Sequence, residues 1–543
     1  MKQYTIGVDF GTLSGRAVLL NAQTGEVLAS SVLEYRHAVM DRELPNGTPL
    51  PPLFALQHPS DYLEVLQTVI PGVLEQTGVA PDEIAGLGID FTSCTMLPID
   101  EDGTPLCLNE KYANEPHAYV KLWKHHGAQA QADRMTAVAR ERGEVWLSRY
   151  GGKFSSEWGL PKIYETLEHA PSVYADTARF CEAGDWLSLL LTGKETHAAA
   201  FAGFKFCWDA DGGFPSNDYL CAVDPRLNGL VGTKLSAKVN TVEEMAGRLS
   251  ARGAELTGLP VGTPLSLPML DAEAAMPALG ITSSGVLMLI IGTSGVQIVH
   301  TDRKLDISGI CGYVKNAVVP GLYTYEAGQS GVGDSFDWFV KNCVPESYMQ
   351  AARERGISIH QYLREKASAL RIGESGLIAL DWLGGNRSTL QDAELSGLLL
   401  GLHIGTRPEE IYRALIESTA YGMRKIVSTY TGGGIAIREV RASGGIAKKD
   451  AMLMQIYADV LGCEISVIDT DQAGALGSAI YASVAAGLYP SVSEASDALS
   501  VKDAKVYRPI PENQAAYEKL YREYETLYEY FGTVNAVMKR LKK

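Results

Sequence analysis

Residues 6–20 read IGVDFGTLSGRAVLL, an apolar run that meets Asp9 and then a turn of Gly, Thr and Ser. Glycines that follow a strand often surround a phosphate group. A P-loop requires G-x-x-x-x-G-K-[ST], but the window from Gly11 has Arg16 and no lysine. A dinucleotide-binding turn opens a helix, whereas residues 16–28 read as strand, turn and strand. The stretch is therefore predicted to be a hairpin rather than either of those loops.

The tip of this hairpin carries groups that can bind phosphate. Backbone N–H groups, the hydroxyls of Thr12 and Ser14, and the cation of Arg16 can hold phosphate oxygens without a helix. Asp9 ends the strand beside that tip, and a carboxylate there suits Mg²⁺, which keeps much of its hydration shell. The alternative for this stretch alone is a β-turn with a structural aspartate.

A similar stretch recurs in the second half of the chain. Residues 285–304 read as a strand, the turn Gly292-Thr293-Ser294-Gly295, and a second strand. The repetition predicts two halves built on the same unit, with domains 1–266 and 267–543. Two such hairpins could clamp one polyphosphate from both sides.

A further aspartate stands at the expected domain junction. Asp271 follows an apolar run in LPMLDAEAAMPALG (267–280). A carboxylate there could accept the proton of a hydroxyl group that attacks the γ-phosphate of a nucleotide. Asp271 also precedes a helical pattern and is predicted to be its N-cap, and the two roles are compatible.

Charge and cysteine content exclude several classes of protein. The 543 residues carry a net charge of −16, and basic residues cluster only at the end of the chain, which disfavours nucleic acid and anionic membranes as partners. The eight cysteines form no CxxC pair and fit reduced thiols in a cytoplasmic protein. The apolar run 286–291 is far shorter than the roughly 20 residues of a membrane helix.

Periodicity predicts the main helices and one strand pair. A helix is expected over 60–78, and a Thr-x-x-Glu capping box at Thr406 is expected to begin another that ends near Tyr430. A further strand pair is expected at 87–90 and 95–99. A tyrosine-rich stripe of helical spacing over 513–531 is expected to face the core. His125 and His126 are expected to form a solvated or interface pair.

Taken together, the motifs resemble those of the FGGY carbohydrate kinases, a branch of the actin/hexokinase/Hsp70-like superfamily. The resemblance covers essentially the whole chain, and Ser14-Gly15-Arg16 narrows it towards kinases of L-ribulose. The matching segments, in chain order, are 7–19, 88–100, 114–126, 182–186, 325–340, 379–402 and 442–462.

This resemblance implies a fold and a reaction. The fold would be two actin-like (ribonuclease H-like) α/β ATPase domains flanking a deep catalytic cleft. The reaction would transfer the γ-phosphoryl group of ATP, with Mg²⁺, to the 5-hydroxyl of L-ribulose. L-ribulose 5-phosphate would be the product, formed during arabinose breakdown. A homodimer is the commonest oligomeric state and is the default expectation.

The resemblance also assigns roles to individual residues. Asp271 matches the general base of the family and Asp9 its magnesium carboxylate. The nucleotide and phosphate positions are Gly11, Thr12, Arg16, Gly292, Thr293, Ser294, Gly444 and Gly445. The sugar positions are Ser93, Lys205, Glu326 and again Asp271.

Two departures from the family pattern leave rival functions open. Glu273 stands where many relatives have histidine, and Gly295-Val296-Gln297 replaces a stretch that contains Cys and His. These changes bear on sugar preference, so a kinase of D-ribulose or D-xylulose is the first alternative. A non-catalytic sugar-binding regulator is the second, and it is disfavoured because Asp9 and Asp271 are both present.

Overall fold

The computed structural model describes residues 3–542, which form twenty strands and twenty α-helices joined by short 3₁₀ segments and one π-helical turn. The strands are β1 Tyr4–Phe10, β2 Ser14–Asn21, β3 Val27–Glu34, β4 Leu56–Gln57, β5 Ile84–Phe91, β6 Met96–Ile99, β7 Val120–Lys121, β8 Arg179–Glu182, β9 Met245–Arg248, β10 Pro264–Ser266, β11 Met269–Leu270, β12 Val286–Ile291, β13 Gly295–Thr301, β14 Gly312–Lys315, β15 Tyr323–Gln329, β16 Ile378–Leu380, β17 Leu398–Leu400, β18 Glu439–Ser443, β19 Ile465–Ile468 and β20 Ala504–Tyr507.

The helices are α1 Pro59–Thr77, α2 Gln129–Arg142, α3 Gly159–His169, α4 Pro171–Asp176, α5 Ala183–Thr192, α6 Ala199–Lys205, α7 Asn217–Val223, α8 Leu230–Thr233, α9 Ala251–Thr257, α10 Asp271–Ala278, α11 Gly333–Cys343, α12 Glu346–Glu354, α13 Ile359–Ser368, α14 Pro408–Gly432, α15 Gly445–Lys449, α16 Ala451–Leu461, α17 Ala473–Ala485, α18 Val492–Leu499, α19 Pro511–Glu529 and α20 Val537–Arg540.

The chain divides into two compact units. Unit 1 comprises Met1–Ser283, Tyr313–Thr324 and Gln472–Val501. Unit 2 comprises Ser284–Gly312, Tyr325–Asp471 and Lys502–Lys543. The domain division expected at residue 266 stays a prediction, and unit 1 includes further segments beyond that residue.

The main sheet of unit 1 has the strand order β3-β2-β1-β5-β10-β9, and β11 also pairs with β5. The strands β1, β2 and β3 form an antiparallel meander, as the sequence predicts. Strands β5 and β11 run parallel to β1, because β1 pairs parallel with β5 and β5 pairs parallel with β11. The carboxyl ends of these three strands therefore lie at one edge.

Helix α17 packs against β1, β5 and α10 at unusually close range. A Cβ atom at Gly7 of β1 would lie 1.8 Å from the carbonyl oxygen of Ala475, and one at Gly88 of β5 would lie 2.0 Å from that of Ser478. Only glycine permits this approach, since any side chain would overlap the helix backbone. The two glycines thereby fix the position of α17 on the sheet.

The second large sheet repeats the same arrangement, with the order β14-β15-β13-β12-β18-β19-β20. Strand β12 pairs antiparallel with β13 and parallel with β18, just as β1 pairs with β2 and β5. The prediction of two α/β halves built on one unit is confirmed.

Two local predictions are wrong. Strands β5 and β6 were expected as a pair, but β5 lies in the main sheet while β6 pairs with β7 and β8 in a four-stranded sheet. The cap of α14 is Arg407 rather than Thr406, and the Arg407 N–H donates to Glu410 at 2.6 Å. Pro408 fits the first helical position, so the box starts one residue later than the Thr-x-x-Glu pattern indicates.

Other local predictions are confirmed. Helices α1 and α14 cover the expected ranges, and the tyrosine stripe of α19 is buried at Tyr517, Tyr521, Tyr524 and Tyr528. The eight cysteines, all within the described residues, are unpaired thiols. Among residues 3–542, no helix is both long enough and apolar enough to cross a bilayer.

The expectation of a solvated or interface pair at His125 and His126 is wrong for His125, which is fully buried inside unit 1 beside Glu165. Lys121 Nζ lies 2.6 Å from the same carboxylate, and both side chains are almost inaccessible to solvent. Burial alone would raise the pKa of Glu165, but the charge of Lys121 and the hydrogen bond with His125 lower it well below its usual range. Because the pKa of Glu165 is depressed, its ion pair with Lys121 stabilises the folded protein fully above pH about 4.3. This contribution is lost as the pH falls from there towards the lower pKa that Glu165 has in the folded protein.

We expect Lys121→Met to lower the free energy of unfolding by about 3–5 kcal/mol, because it leaves the Glu165 carboxylate buried without its cation. Urea unfolding at neutral pH measures the change. The matched control is Lys111→Met, whose exposed ion pair with Asp176 should contribute little. Equal effects of the two substitutions would contradict the importance of the buried pair.

Candidate active site

The first hairpin places a cation, a carboxylate and a hydroxyl together. In the β1–β2 register, Asp9 lies opposite Arg16, and the Gly11 N–H closes the turn by donating to the Ser14 carbonyl at 3.0 Å. Arg16 Nε lies 3.6 Å from Asp9 Oδ2, and Arg16 Nη2 donates to Ser14 Oγ at 3.2 Å. The guanidinium group is thus held at the tip, as the sequence predicts.

Neighbouring side chains hold the tip from outside the hairpin. Gln57 Nε2 donates to the carbonyl oxygen of Thr12 at 2.8 Å, and Trp123 Nε1 donates to Thr12 Oγ1 at 3.1 Å. The Tyr35 N–H donates to the carbonyl oxygen of Leu13 at 2.9 Å. Two of these bonds hold backbone carbonyl groups of the turn and the third holds the Thr12 hydroxyl, and none of them uses an N–H group of the turn.

Three aspartates meet where three parallel strands end. Asp9 of β1 is in register with Asp90 of β5, and Asp90 is in register with Met269 of β11. Asp271 is the first residue after β11. The sequence prediction named Asp9 and Asp271 but missed Asp90, which lies between them. The available signal was the repeat of VDF at 8–10 as IDF at 89–91.

The carboxyl groups strongly perturb one another. Burial raises the pKa of Asp90 well above its usual range, and the charges of Asp9 and Asp271 raise it further. Burial also raises the pKa of Asp9, although Arg16 opposes that rise. Asp9 and Asp90 can share a hydrogen bond only if one of them carries a proton. With both ionised, this edge of the sheet is a concentration of negative charge that favours a cation.

The donor set fits a magnesium ion. Ser478 Oγ donates to Asp90 Oδ2 at 2.6 Å, while the buried Asp90 Oδ1 accepts no hydrogen bond from any described group. Mg²⁺ prefers oxygen ligands such as carboxylates, and the carboxylate of Asp90 is held in place by the hydrogen bond from Ser478. Asp9 and Asp90 are therefore the two residues that could hold the metal in unit 1.

The amino end of α17 faces these carboxylates. A Cβ atom at Gly474, the second residue of the helix, would lie 3.2 Å from both Asp9 Oδ2 and Asp90 Oδ1. The positive end of the helix dipole therefore points at two acids, which favours their ionised forms. Nothing in the sequence near Gly474 predicts this contact, since the helix lies far along the chain from both aspartates.

Asp271 is the first helical residue of α10, and Leu270 is the N-cap, so the prediction of an Asp271 cap is wrong. Its backbone is already helical, and its Oδ1 accepts from the Ala272 N–H at 2.7 Å instead of capping a later residue. Glu273 is buried and lies close to Tyr481, whose pKa is raised by burial and by that carboxylate. Residues two apart on a helix point in different directions, which agrees with a Glu273 side chain close to Tyr481.

The predicted sugar residues Ser93 and Lys205 lie in the same part of unit 1. Ser93 stands in the turn after β5, which is closed by a 2.7 Å contact between the hydroxyls of Thr92 and Thr95. Lys205 ends α6 and is almost fully buried. Burial raises the pKa of the thiol of Cys94, the residue after Ser93, and the positive charge of Lys205 is among those that oppose the rise. Lys205 is therefore close to the turn that carries Ser93.

Unit 2 carries the second hairpin and the glycine pair. The Gly292 N–H donates to the Ser294 carbonyl at 3.0 Å, so a glycine N–H closes this turn as in the first hairpin, although the turn is one residue shorter. Gly444 directly follows β18, the parallel neighbour of β12, so the hairpin and the glycine pair share one sheet edge. Gly444 has φ +105°, and a Cβ there would lie 2.5 Å from the Ile291 carbonyl oxygen. No described atom lies within 4 Å of a Cβ built on Gly445.

Glu326, the fourth predicted sugar residue, lies on β15 in unit 2, whereas the other three are in unit 1. Its side chain is buried, and Arg387 Nη2 donates to its Oε1 at 2.7 Å. The sequence prediction did not include Arg387, which would fix the rotamer of that carboxylate.

Comparison with known proteins defines the class. Residues 4–278 match the N-terminal domain, and residues 287–486 the C-terminal domain, of the FGGY family of carbohydrate kinases. The chain belongs to this family, and the fold and the kinase class expected from the sequence are confirmed. The chain also shares the fold of the xylulose kinase from Rhodospirillum rubrum, with a TM-score of 0.78, 22% identity, and coverage of 97% of this chain and 98% of that one.

Two relatives with similar sequences are ribulokinases. A ribulokinase of Bacillus licheniformis is 49% identical over 536 residues, which cover 98% of this chain and 97% of the relative. A ribulokinase of Halalkalibacterium halodurans is 49% identical over 546 residues, which cover 99% of this chain and 97% of the relative.

We expect Gly444→Ala and Gly445→Ala to differ sharply in stability. Alanine at 444 meets both an unfavourable positive φ and the Ile291 carbonyl oxygen, so the free energy of unfolding should fall by at least about 1–3 kcal/mol. Alanine at 445 has open space and should leave the free energy of unfolding nearly unchanged. Urea unfolding of both variants without ligand measures the two changes. Equal losses of unfolding free energy would contradict the difference in backbone conformation and space between positions 444 and 445.

Proposed function

We propose that the protein phosphorylates L-ribulose at its 5-hydroxyl with ATP, giving L-ribulose 5-phosphate for arabinose breakdown. The observation that carries the proposal is the meeting of Asp9, Asp90 and Asp271 at the ends of β1, β5 and β11. Similarity to ribulokinases over nearly the whole chain supports the choice of sugar. A kinase of D-ribulose or D-xylulose is the alternative, because stereochemical preference depends on fine pocket shape.

Asp271 is proposed as the general base. Its carboxylate is partly exposed at the start of α10, where it can accept the proton of the 5-hydroxyl as that oxygen attacks the γ-phosphorus in line. The bond from the γ-phosphorus to the bridging oxygen breaks as the new oxygen–phosphorus bond forms, and ADP leaves. The Ala272 N–H donates to Asp271 Oδ1 and so helps to orient the carboxylate.

The hairpins are proposed to bind the phosphates. In unit 1, the backbone at Gly11, the hydroxyl of Thr12 and the cation of Arg16 would contact phosphate oxygens. In unit 2, Gly292, Thr293 and Ser294 would do the same. Gly444 and Gly445 would allow the nucleotide to lie against the backbone, which is open at Gly445.

Asp9 and Asp90 would hold Mg²⁺, directly or through water, and the ion would neutralise charge on the transferred phosphoryl group. Arg16 limits the mutual repulsion of the acids by its position beside Asp9. Ser478 keeps Asp90 oriented through the bond to its Oδ2.

Ser93, Lys205 and Glu326 are proposed to hydrogen-bond the hydroxyls of the sugar, together with Asp271. Lys205 and Glu326 are both buried, so their rotamers are restricted and little entropy is lost on binding. We further propose a cytoplasmic location, consistent with the free thiols, and a homodimer as the default oligomer.

We expect Asp271→Asn to reduce kcat about 100- to 10,000-fold, because the amide cannot accept the hydroxyl proton. The measurement is ADP release with Mg-ATP and L-ribulose, accompanied by calorimetry of sugar binding, which should be retained. Full turnover in the variant would show that Asp271 is not the general base.

Two controls sharpen that experiment. Glu273→Gln changes a carboxyl group on the same helix that lies near Tyr481, so it should keep kcat within about threefold. A sugar panel of L-ribulose, D-ribulose, D-xylulose and glycerol tests the substrate with the unaltered protein. Highest kcat/KM on D-xylulose or glycerol would overturn L-ribulose as the substrate.

We expect Asp90→Asn to raise the Mg²⁺ concentration for half-maximal activity by at least about tenfold, because one of two metal carboxylates is neutralised. Initial rates against Mg²⁺ at fixed ATP give this value. Ser478→Ala is the control, since it removes a hydrogen bond to Asp90 but leaves the charge, and its shift should be smaller. An unchanged magnesium requirement in Asp90→Asn would exclude Asp90 as a metal residue.

A further inference from the structure

A compact group of two histidines and an aspartate lies in unit 1 outside the residues assigned to the reaction. One possible ligand atom from each of His37, His58 and Asp61 lies within 4.8 Å of the others. His37 Nδ1 is 2.6 Å from Asp61 Oδ1, and the rings of His37 and His58 stack with centroids 4.3 Å apart. Nothing in the proposed kinase reaction uses these three side chains.

Local structure brings the three residues together. His58 is the N-cap of α1 and accepts from the Ser60 N–H, and Asp61 lies in the first turn of the same helix. His37 follows β3, and its own N–H donates to Asp61 Oδ2 at 3.2 Å. The Asp61 side chain is 2% exposed and that of His37 is 24% exposed, so the group is anchored inside and open on one side.

We propose that His37, His58 and Asp61 bind a divalent transition-metal ion of the zinc class, with water as the fourth ligand. Two imidazoles and one carboxylate are a donor set that Zn²⁺ binds in tetrahedral geometry. Ligands of one zinc ion lie about 3.3 Å apart, so His37 Nδ1 and Asp61 Oδ1 need to separate by less than about 1 Å to share it.

The position of this group links it to the first hairpin. His37 is two residues after Tyr35, whose N–H donates to Leu13, and His58 directly follows Gln57, whose side chain donates to Thr12. Asp61 directly precedes Tyr62, whose hydroxyl donates to Gln57 Oε1 at 2.7 Å. An ion held here would cross-link the segments that support residues 11–14. Bound metal should therefore slow amide hydrogen exchange in that turn.

The experiment uses the full chain, stripped with a chelator and titrated with Co²⁺ as a spectroscopic probe and with Zn²⁺ by calorimetry. We expect one ion per chain at this site, with Co²⁺ d–d bands and no thiolate charge-transfer band. Zn²⁺ should also reduce hydrogen exchange at residues 11–14. No binding, or a thiolate band that accounts for all bound Co²⁺, would overturn the proposal.

Three conservative variants locate the ion. His58→Asn keeps an N-cap acceptor, His37→Gln keeps a donor to Asp61, and Asp61→Asn keeps hydrogen-bonding capacity without charge. Each should weaken Zn²⁺ binding at least tenfold while the protein stays folded, as judged by circular dichroism and urea unfolding.

The matched control is His403→Gln in unit 2, an exposed histidine that also accepts a backbone N–H, from Gly405 at 3.1 Å. This variant should bind Zn²⁺ like the unaltered protein. Wild-type affinity in all three test variants would place any bound ion elsewhere and refute the site. Unchanged exchange at residues 11–14 with zinc bound would refute the link to the hairpin.

Discussion

Mutual repulsion among Asp9, Asp90 and Asp271 is the constraint on which the rest of unit 1 depends. Parallel strands end at one edge, so register alone brings the three carboxyl groups together, and burial removes the water that would screen them. The surrounding groups offset the free-energy cost of this repulsion. Arg16 supplies a charge, Ser478 a hydroxyl, and the amino end of α17 a dipole. This arrangement supports the proposal that the site binds a cation and the anionic group that accompanies it.

Unit 2 has the same strand arrangement but carries different residues at the ends of its strands. Its equivalent edge carries glycines rather than carboxylates, with Gly292 after β12 and Gly444 after β18. One topology thus provides an acidic edge in one unit and an open backbone edge in the other. The division follows from which residues stand at the strand ends, since the hairpin closure by a glycine N–H is common to both.

The hairpins could be predicted because their chemistry is local. A strand, a Gly-Thr-Ser turn and a second strand are contiguous in sequence, and the repeat at 285–304 reinforced the first copy. Asp90 and Gly474 could not be assigned in the same way, because their roles depend on register and on a helix from a distant segment. His125 was wrongly expected in solvent or at an interface, since its partner Glu165 is also remote in sequence. The cap at Arg407 was missed by one residue, which is the ordinary uncertainty of a helix boundary.

The close contact of α17 with Gly7 and Gly88 has a consequence for how the protein is made. This helix belongs to unit 1 but follows most of unit 2 in the sequence. A nascent chain that has left the ribosome only as far as Ser283 possesses β1, β5 and α10 but not the helix that covers them. The groove formed by the glycines stays open to water until translation passes Ala485. The acidic strand ends are therefore completed late in biosynthesis, after most of the polypeptide of the other unit has been synthesised.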